Sequence, residues 1–294
     1  MNQYEKDLVA FLCGKDRETR SLFRQMRGVA ARTIFGKDYF SGGQLNTRLY
    51  CEPKLVLKAQ AGDFGDMDED DLRERFSDLA TDAVDSIVAG AEAVRARRVM
   101  GTIVHASEAD SDEHIEEQQV SCIYCLESNP FSDSDYQKTA DKGLLLFLGI
   151  VDYLKFDGDD IVVGERKTSR PPNDPAWASD VAQALGYCWA LRELLSDSSY
   201  AGIPMSVEIE YTLYSHCCLF PVVDNKVMGD FGFTLGWWKM LTPYQVTNRE
   251  LSRLYRVLTM QSKPLSPASS GKCRGVNGDE PCEYYGLNHP YCVR

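Results

Sequence analysis

Two apolar runs separated by a polar segment dominate the middle of the chain. Residues 144–154 are almost entirely apolar, and residues 161–167 are rich in β-branched side chains before they end in charged ones. The segment 156–160 between the runs reads Phe-Asp-Gly-Asp-Asp and contains the Asp-Gly pair that favours a tight turn between strands. We therefore predict a β-hairpin in which the two runs pair with each other.

The spacing of apolar residues becomes helical downstream of the hairpin. Residues 180–195 follow a helical pattern, and Pro171, Pro172 and Pro175 predict a turn-rich crossing into this helix. Further helices are predicted over residues 1–40, 72–100 and 248–261, and further strands over residues 115–126 and 206–220. Breaks are predicted at residues 38–43, 63–71 (an acidic linker), 107–113, 129–141 and 262–270.

Charged side chains occupy specific positions on the two predicted strands of the hairpin. Glu165 and Lys167 are two residues apart, so they are expected to point to one side of the strand while Arg166 points away. Asp152 lies on the partner strand, where it can meet Glu165 across the pair. The hairpin therefore brings two carboxylates and a lysine toward one place.

Hydrolysis of a phosphodiester needs groups of this kind. Hard carboxylate oxygens hold a divalent metal ion, and a lysine supplies positive charge or activates water beside the phosphate. Gln183 and Tyr187 lie four residues apart and share one face of the following helix. Charged residues on a hairpin and a Gln-x-x-x-Tyr on a helix each also occur without an active site. The two together, in this order, favour an active site.

One element upstream completes a recognisable order. Gly101-Thr-Ile-Val-His105 ends the long Ala- and Val-rich helical stretch and precedes the strand predicted at 115–126. A lone histidine at such a place is more often a core or capping residue than a ligand. With Asp152, the Glu-x-Lys and the Gln-x-x-x-Tyr, however, the chain resembles the RecB-like branch of the PD-(D/E)xK nucleases. Within that branch it is most similar to CRISPR-associated and repair exonucleases that carry an iron–sulfur cluster, over about residues 46–51 and 101–292.

The resemblance implies a fold and an activity. The fold would be a restriction-endonuclease-like α/β core with a mixed central β-sheet flanked by helices, and residues 72–100 would form a helical cap over the DNA channel. The activity would be metal-dependent cleavage of DNA, as an exonuclease on single-stranded DNA ends. The setting would be CRISPR spacer acquisition or DNA repair, with a CRISPR integrase or a helicase as partner.

The resemblance also implies roles for individual residues. Lys167 would orient or activate the attacking water, while Gln183 and Tyr187 would position Lys167 and the DNA strand. A glutamate at position 165 is an accepted variant of the motif. The implied ligands of Mg²⁺ or Mn²⁺ are the side chains of His105, Asp152 and Glu165 and the main-chain carbonyl of Arg166.

Ten cysteines are many for a chain without a signal-peptide pattern. Cys273, Cys282 and Cys292 lie in a Gly/Pro-rich tail that has little apolar material of its own, so a metal centre would help to order it. The resemblance adds Cys51 as the fourth ligand and makes the centre a 4Fe-4S cluster. The gaps of eight and nine residues depart from the family's tighter spacing. Zinc, with His289 replacing one cysteine, is the rival, and free thiols are the third alternative.

Overall charge argues mildly against a nucleic-acid partner. The net charge is 32 − 44 = −12, whereas nucleic-acid-binding proteins are typically basic. Local basic groups reduce this objection, because they could contact phosphates while the rest of the surface stays acidic. For the group of arginines between residues 17 and 32, a solvated helix face is an equally good explanation. The groups are Arg17, Arg20, Arg24, Arg27 and Arg32; Arg95, Arg97 and Arg98; and Arg166, Lys167 and Arg170.

The chain has no run of eighteen apolar residues, so no membrane span is predicted. A cytoplasmic location is expected by default, or a nuclear or organellar one in a eukaryote. We predict an N-terminal helical segment (1–45), a segment with the first cluster cysteine and the cap (46–100), a nuclease core (101–261) and a cysteine-rich tail (262–294). Two other functions stay open: a DNA-end-binding assembly subunit that does not need catalysis, and a cluster-based redox sensor.

Overall fold

A computed structural model describes residues 3–30, 39–108, 115–125, 144–157, 160–173, 175–223, 226–227, 242–258, 262–265, 273, 282–284 and 287. The helices are α1 (Gln3–Ala30), α2 (Gly42–Tyr50), α3 (Glu52–Ala61), α4 (Glu69–Arg75), α5 (Thr81–Glu108), α6 (Ala178–Leu195) and α7 (Pro243–Leu258), with 3₁₀ turns at Phe64–Asp66 and Thr212–Tyr214. The strands are β1 (Tyr39–Ser41), β2 (Ile115–Cys125), β3 (Leu144–Asp157), β4 (Asp160–Lys167), β5 (Met205–Tyr211), β6 (His216–Val223) and β7 (Lys226–Val227).

The strands form one mixed sheet, which confirms the predicted α/β class with a mixed central sheet. The order is β1-β3-β4-β5-β6-β7, and β2 pairs with β3 outside this path. β1 pairs parallel with β3 and β4 pairs parallel with β5, whereas the other pairs are antiparallel. Leu146 pairs with both Tyr39 and Ile123, so β1 and β2 lie on opposite edges of β3.

The hairpin and the helix that follows it are confirmed. Asp157 pairs with Asp160 and Tyr153 with Gly164, so β3 and β4 form an antiparallel pair. Because β4 and β5 are parallel, the chain must cross over between them, and α6 makes that crossing. α6 packs on β2, β3, β4 and β5 and is buried along most of its length. The hairpin and α6 together carry most of the predicted site residues.

A second group of helices has its own apolar core. This core contains side chains from α3, α4 and α5 together with Tyr284 from the C-terminal tail. Its fully buried members include Phe64, Leu72, Ile87, Ala91 and Tyr284. The tail residues that the structure describes therefore contribute an apolar side chain to a folded core.

The acidic segment 63–71 is not a linker, and the predicted helix 72–100 is wrong in its bounds. Asp63 accepts a hydrogen bond from the Gly65 amide (3.1 Å) and begins a 3₁₀ turn, and Asp68 accepts one from the Asp71 amide (2.8 Å) and begins α4. Carboxylates stabilise helix N-termini by such caps and by their charge, which explains the acidity of this segment. α4 ends at Arg75, and a separate helix, α5, runs from Thr81 to Glu108.

The N-terminal prediction also needs correction. A helix was predicted over 1–40 with a break at 38–43, but α1 ends at Ala30, β1 occupies Tyr39–Ser41 and α2 begins at Gly42. Phe40 in β1 is fully buried, yet three residues are too few to show the alternation that marks a strand. Two further bounds shift: α5 includes Ser107 and Glu108, and α7 begins at Pro243 rather than at 248.

The chain divides into two compact units, which differ from the four predicted segments. One contains Met1–Asn46 and His105–Tyr255 and holds the sheet; the other contains Thr47–Val104 and Arg256–Arg294 and holds the second core. The predicted loop at 129–141, the predicted ligands Cys292 and His289, and most of the tail lie outside the described residues. Within the part that the structure describes, no helix is both long enough and apolar enough to cross a membrane.

Candidate active site

A chain of hydrogen bonds links four of the predicted site residues. The Lys167 Nζ donates to Glu165 Oε1 (2.5 Å) and to Gln183 Oε1 (2.9 Å). The Gln183 amide in turn donates to Glu165 Oε1 (2.7 Å) and to the Tyr187 hydroxyl (2.8 Å). The end of β4 and one face of α6 thus bring Glu165, Lys167, Gln183 and Tyr187 together, as their spacing predicted.

Asp152 joins this group through the backbone of β4. Its Oδ2 accepts a hydrogen bond from the Arg166 amide at 2.7 Å. The opposite residue on β2, Glu117, interrupts the ladder: Gln118 pairs with Val151 and Glu116 with Tyr153, and Glu117 itself has a left-handed φ of 51°. A left-handed non-glycine residue inside a strand costs energy, and such outliers concentrate at functional sites.

The Arg166 side chain points away from Glu165 and Lys167, as predicted. Its guanidinium donates to both carboxylate oxygens of Glu116 (2.7 and 3.2 Å), and its carbon lies 4.5 Å from the centre of the Tyr153 ring. Its Nε lies 3.5 Å from Glu210. The bonds to Glu116 and the packing on Tyr153 hold the side chain of Arg166, whose backbone amide binds Asp152.

Glu165 is a buried carboxylate with one oxygen that is not satisfied. Oε1 receives both donors described above, whereas Oε2 is buried and has no hydrogen-bond partner among the residues that the structure describes. Burial raises the pKa of Glu165 to about 8; the ammonium of Lys167 opposes the rise, and the charge of Asp152 adds to it. A cation beside Oε2 would supply both the missing partner and the charge that favours the ionised carboxylate.

Lys167 is held as an ammonium. Burial alone would lower its pKa, but the negative charges of Glu165 and Asp180 outweigh this effect, and the pKa of Lys167 is raised. The Asp180 Oδ1 lies 4.0 Å from Nζ. A protonated lysine can stabilise negative charge on a phosphate but cannot accept a proton from water.

Sequence reasoning missed the partners of Asp180. Its Oδ1 accepts from the Asn46 amide (2.7 Å), and its Oδ2 accepts from the Tyr211 hydroxyl (2.9 Å). Asp180 lies three residues before Gln183 on the same face of α6, which was an available signal. Asn46 and Tyr211 carry no such signal, because only the folded chain brings α2 and β5 to the start of α6.

Tyr187 fits between two glycines. A Cβ added at Gly149 in β3 would overlap the Tyr187 ring, and one added at Gly42 would lie 2.5 Å from the ring carbon Cε1. The ring therefore packs directly on two stretches of backbone. Burial raises the pKa of the Tyr187 hydroxyl well above its ordinary value, so this hydroxyl is neutral when it accepts from Gln183.

The chemistry of the available donor atoms suits a divalent cation. Asp152 and Glu165 supply carboxylate oxygens, one of them the unsatisfied Oε2, and such oxygens suit Mg²⁺ or Mn²⁺. In the described part of the chain, no group of three or more His, Cys, Asp or Glu side chains is arranged to hold a metal ion. His105, the third predicted side chain, lies in α5, but its side chain is outside the described part.

Three of the four predicted cluster cysteines are described, and all belong to the second unit. Cys51 precedes α3 and is buried, as is Cys273. The Cys282 amide donates to the Cys273 carbonyl at 3.0 Å. Burial raises the pKa of the Cys282 thiol to about 12, with smaller contributions from Glu283 and Cys51. Their sulfur atoms suit iron–sulfur or zinc ligation, but these three alone do not form a ligand group.

Comparisons with known proteins add little to this geometry. No family model matches the chain, and no curated protein matches it. Among solved structures, the chain is similar to one titled "Crystal structure of SSO0001", with a TM-score of 0.44 and 11% sequence identity. That match covers 100% of this chain and 98% of the other. A similarity at this level gives no support for a function.

Proposed function

We propose that this chain is a metal-dependent deoxyribonuclease that acts on single-stranded DNA ends. The observation that carries the proposal is the buried Glu165 carboxylate, whose Oε2 has no partner among the described residues while Oε1 is bound by Lys167 and Gln183. A buried anionic oxygen left in this state is costly unless a ligand satisfies it. Asp152 lies beside it and supplies a second carboxylate.

The chain's own residues divide the work of hydrolysis between them. Asp152 and Glu165 would hold Mg²⁺ or Mn²⁺, with His105 and the Arg166 carbonyl as the further ligands that the family resemblance implies. When bound, the cation supplies Lewis acidity toward the phosphate and the attacking water. The Lys167 ammonium stabilises the charge that develops on the phosphate. Gln183 and Tyr187 fix the position of Lys167 and, by the resemblance, guide the strand.

The biological setting is proposed from the resemblance alone. An exonuclease of this kind would trim DNA ends during CRISPR spacer acquisition or DNA repair, beside an integrase or a helicase. The net charge of −12 is compatible with this, because Arg170, three residues after Lys167, is exposed and offers a local cation to a phosphate.

Cleavage of DNA is the direct test. Purified protein is incubated with end-labelled single-stranded DNA in Mn²⁺, in Mg²⁺ or in EDTA, with Lys167→Ala in parallel. We expect degradation by the parent in either metal, none in EDTA and none by the variant, because Lys167 provides the only lysine ammonium bound to Glu165 among the described residues. Undiminished cleavage by folded Lys167→Ala would refute the assignment. Binding of DNA ends without cleavage by the parent would favour the assembly subunit.

We also propose that Cys51, Cys273, Cys282 and Cys292 bind a 4Fe-4S cluster, with zinc as the rival. Support comes from the bond between the Cys282 amide and the Cys273 carbonyl and from the burial of Cys51 and Cys273 in the same unit. The thiol of Cys282, which burial keeps protonated, would become a good ligand only when a metal replaces its proton.

Replacing Cys282 with serine is expected to remove most of the bound metal and to lower the unfolding temperature. Serine keeps the size of the side chain but is a poor ligand for iron or zinc. Metal analysis of anaerobically purified protein, with an absorption spectrum, distinguishes the two metals. Cys188→Ser is the matched control, because Cys188 is buried in α6 beside Met205. Unchanged metal content in Cys282→Ser would exclude Cys282 as a ligand.

A further inference from the structure

A large aromatic side chain lies exposed next to the candidate active site. Trp177 occupies the position just before α6, where Ser, Thr, Asp or Asn would cap the helix, and it makes no side-chain capping bond. It is 44% exposed, so it does not contribute mainly to the core. Neither capping nor burial accounts for the exposed part of this ring.

The Trp177 ring is held in place although it is exposed. Its indole N–H donates to the Arg170 carbonyl at 2.9 Å, and its backbone amide donates to the Tyr211 hydroxyl at 2.9 Å. Tyr211 is itself buried and donates to Asp180. An aromatic face that is fixed before a ligand arrives loses little conformational entropy on binding.

Trp177 is also close to the proposed site of cleavage. It lies six residues before Gln183, which corresponds to about 9 Å along the helix axis. Tyr211, which binds the Trp177 amide, pairs in register with Lys167 across β4 and β5. The backbone of Trp177 therefore lies within roughly two helical turns of Gln183, at the end of the sheet where Lys167 ends β4.

The surroundings of Trp177 suit a nucleic acid more than an apolar protein partner. Arg170, whose carbonyl binds the indole, is an exposed cation. Tyr214, 48% exposed, lies on the 3₁₀ turn at the same end of the sheet, and Thr212 in that turn donates to the Lys167 carbonyl at 3.4 Å. Exposed aromatic faces beside cations are the usual means of binding single strands, because each base can stack.

We propose that Trp177 is a stacking platform for one unpaired base of the DNA strand, beside the phosphodiester that is cut. This inference rests on the proposed nuclease function and names the residue that would select strands whose bases are free of their complement. A base in a duplex is stacked on its neighbours and paired, so it cannot lie on the ring without being extruded.

An abasic scan tests the platform. Single-stranded oligonucleotides that lack one base at successive positions are given to the parent and to Trp177→Ala. We expect the parent to cleave poorly when one particular base is missing, and the variant to show no dependence on that base. With the intact strand, Trp177→Ala should raise KM about tenfold, as stacking on one base predicts, with little change in kcat. Trp177→Phe keeps an aromatic face and should retain the base dependence.

The matched control is Tyr4→Ala. Tyr4 is a similarly exposed aromatic residue of the same unit, but it packs on Phe156, near the turn of the hairpin and away from Lys167. Cleavage by Tyr4→Ala should depend on the missing base in the same way as cleavage by the parent.

Two results would overturn the platform. One is the same base dependence in Trp177→Ala as in the parent; the other is an equal loss on single-stranded and blunt duplex substrates, since a duplex offers no unpaired base. The scan is repeated as a binding assay in EDTA, in which the fluorescence anisotropy of the labelled oligonucleotides reports binding. If the parent never cleaves DNA, the nuclease proposal fails, but the binding scan still decides whether Trp177 contacts a base.

Discussion

Glu165→Gln is expected to lower the rate of DNA cleavage on the order of a thousandfold or more while the protein stays folded. The amide has the shape of the carboxylate and still accepts from Gln183 and Lys167. It has no negative charge, however, so it can neither attract a divalent cation nor balance the Lys167 ammonium. The lower rate of cleavage should persist at high Mn²⁺, because the variant lacks the negative charge of the carboxylate as well as its affinity for the metal ion.

The same substitution should change the stability of the metal-free protein only slightly. Burial raises the pKa of Glu165 to about 8 because it penalises the charged carboxylate, and the neutral amide of glutamine avoids that penalty. We expect the unfolding temperature to stay within a few degrees, which corresponds to about 1 kcal/mol. Cleavage rates over a series of Mn²⁺ concentrations and thermal unfolding of both proteins measure the two effects separately.

Glu210→Gln is the matched control for this variant. Glu210 lies on the neighbouring strand β5, where it is partly exposed and faces Arg166 rather than Lys167. Loss of its charge should leave cleavage nearly unchanged. Equal activity of Glu165→Gln and Glu210→Gln would remove Glu165 from the active site, and the proposed nuclease would then have lost the observation that supports it.

The sequence predicts best where a pattern is long and local. The hairpin and α6 follow from apolar runs of eleven and seven residues, a turn signal and a helical period. These elements alone predict that Glu165 and Lys167 share one side of β4 and that Gln183 and Tyr187 share one face of α6. Hydrogen bonds connect the four side chains in the structure. Short-range geometry is enough here, because a strand and the next helix in sequence hold all four residues.

Prediction fails where the relevant contact is distant in sequence. β1 is defined by three residues that pair with β3 more than a hundred residues later, and no local period marks them. Asn46 and Tyr211 reach Asp180 from α2 and β5 in the same way. The acidic segment 63–71 was misread for another reason: carboxylates that cap helices look, in sequence, like those of a solvated linker.

The contacts of the C-terminal tail are a third feature that the sequence did not predict. Its sequence has little apolar material, which favoured a metal centre as the means of ordering it. The structure adds protein contacts for residues 282–284: the Tyr284 ring lies 4.5 Å from that of Phe64, its hydroxyl donates to the Gly62 carbonyl at 2.7 Å, and Glu283 pairs with Lys54 at 2.9 Å. These contacts depend on how closely the tail approaches α5.

Gly90→Ala is therefore expected to destabilise the second unit by about 3 kcal/mol or more. A Cβ at Gly90 would lie 2.6 Å from both the amide nitrogen and the Cα of Glu283, and these backbone atoms cannot rotate away as a side chain can. The segment must move off α5, which exposes Tyr284 and separates Glu283 from Lys54. Loss of a buried aromatic side chain alone costs about this much.

Gly14→Ala is the matched control, since Gly14 is also inside a helix but has no atom near the position of an added Cβ. There the substitution should stabilise the protein by roughly 0.5–1 kcal/mol, because alanine favours a helix more than glycine does. Denaturant unfolding gives the two free-energy changes, and limited proteolysis reports release of the tail. Metal content should fall in Gly90→Ala as well, because the displaced segment would carry Cys282 away from the proposed cluster. A Gly90→Ala protein as stable as Gly14→Ala would show that the tail does not dock on α5, and the proposed cluster would lose its support.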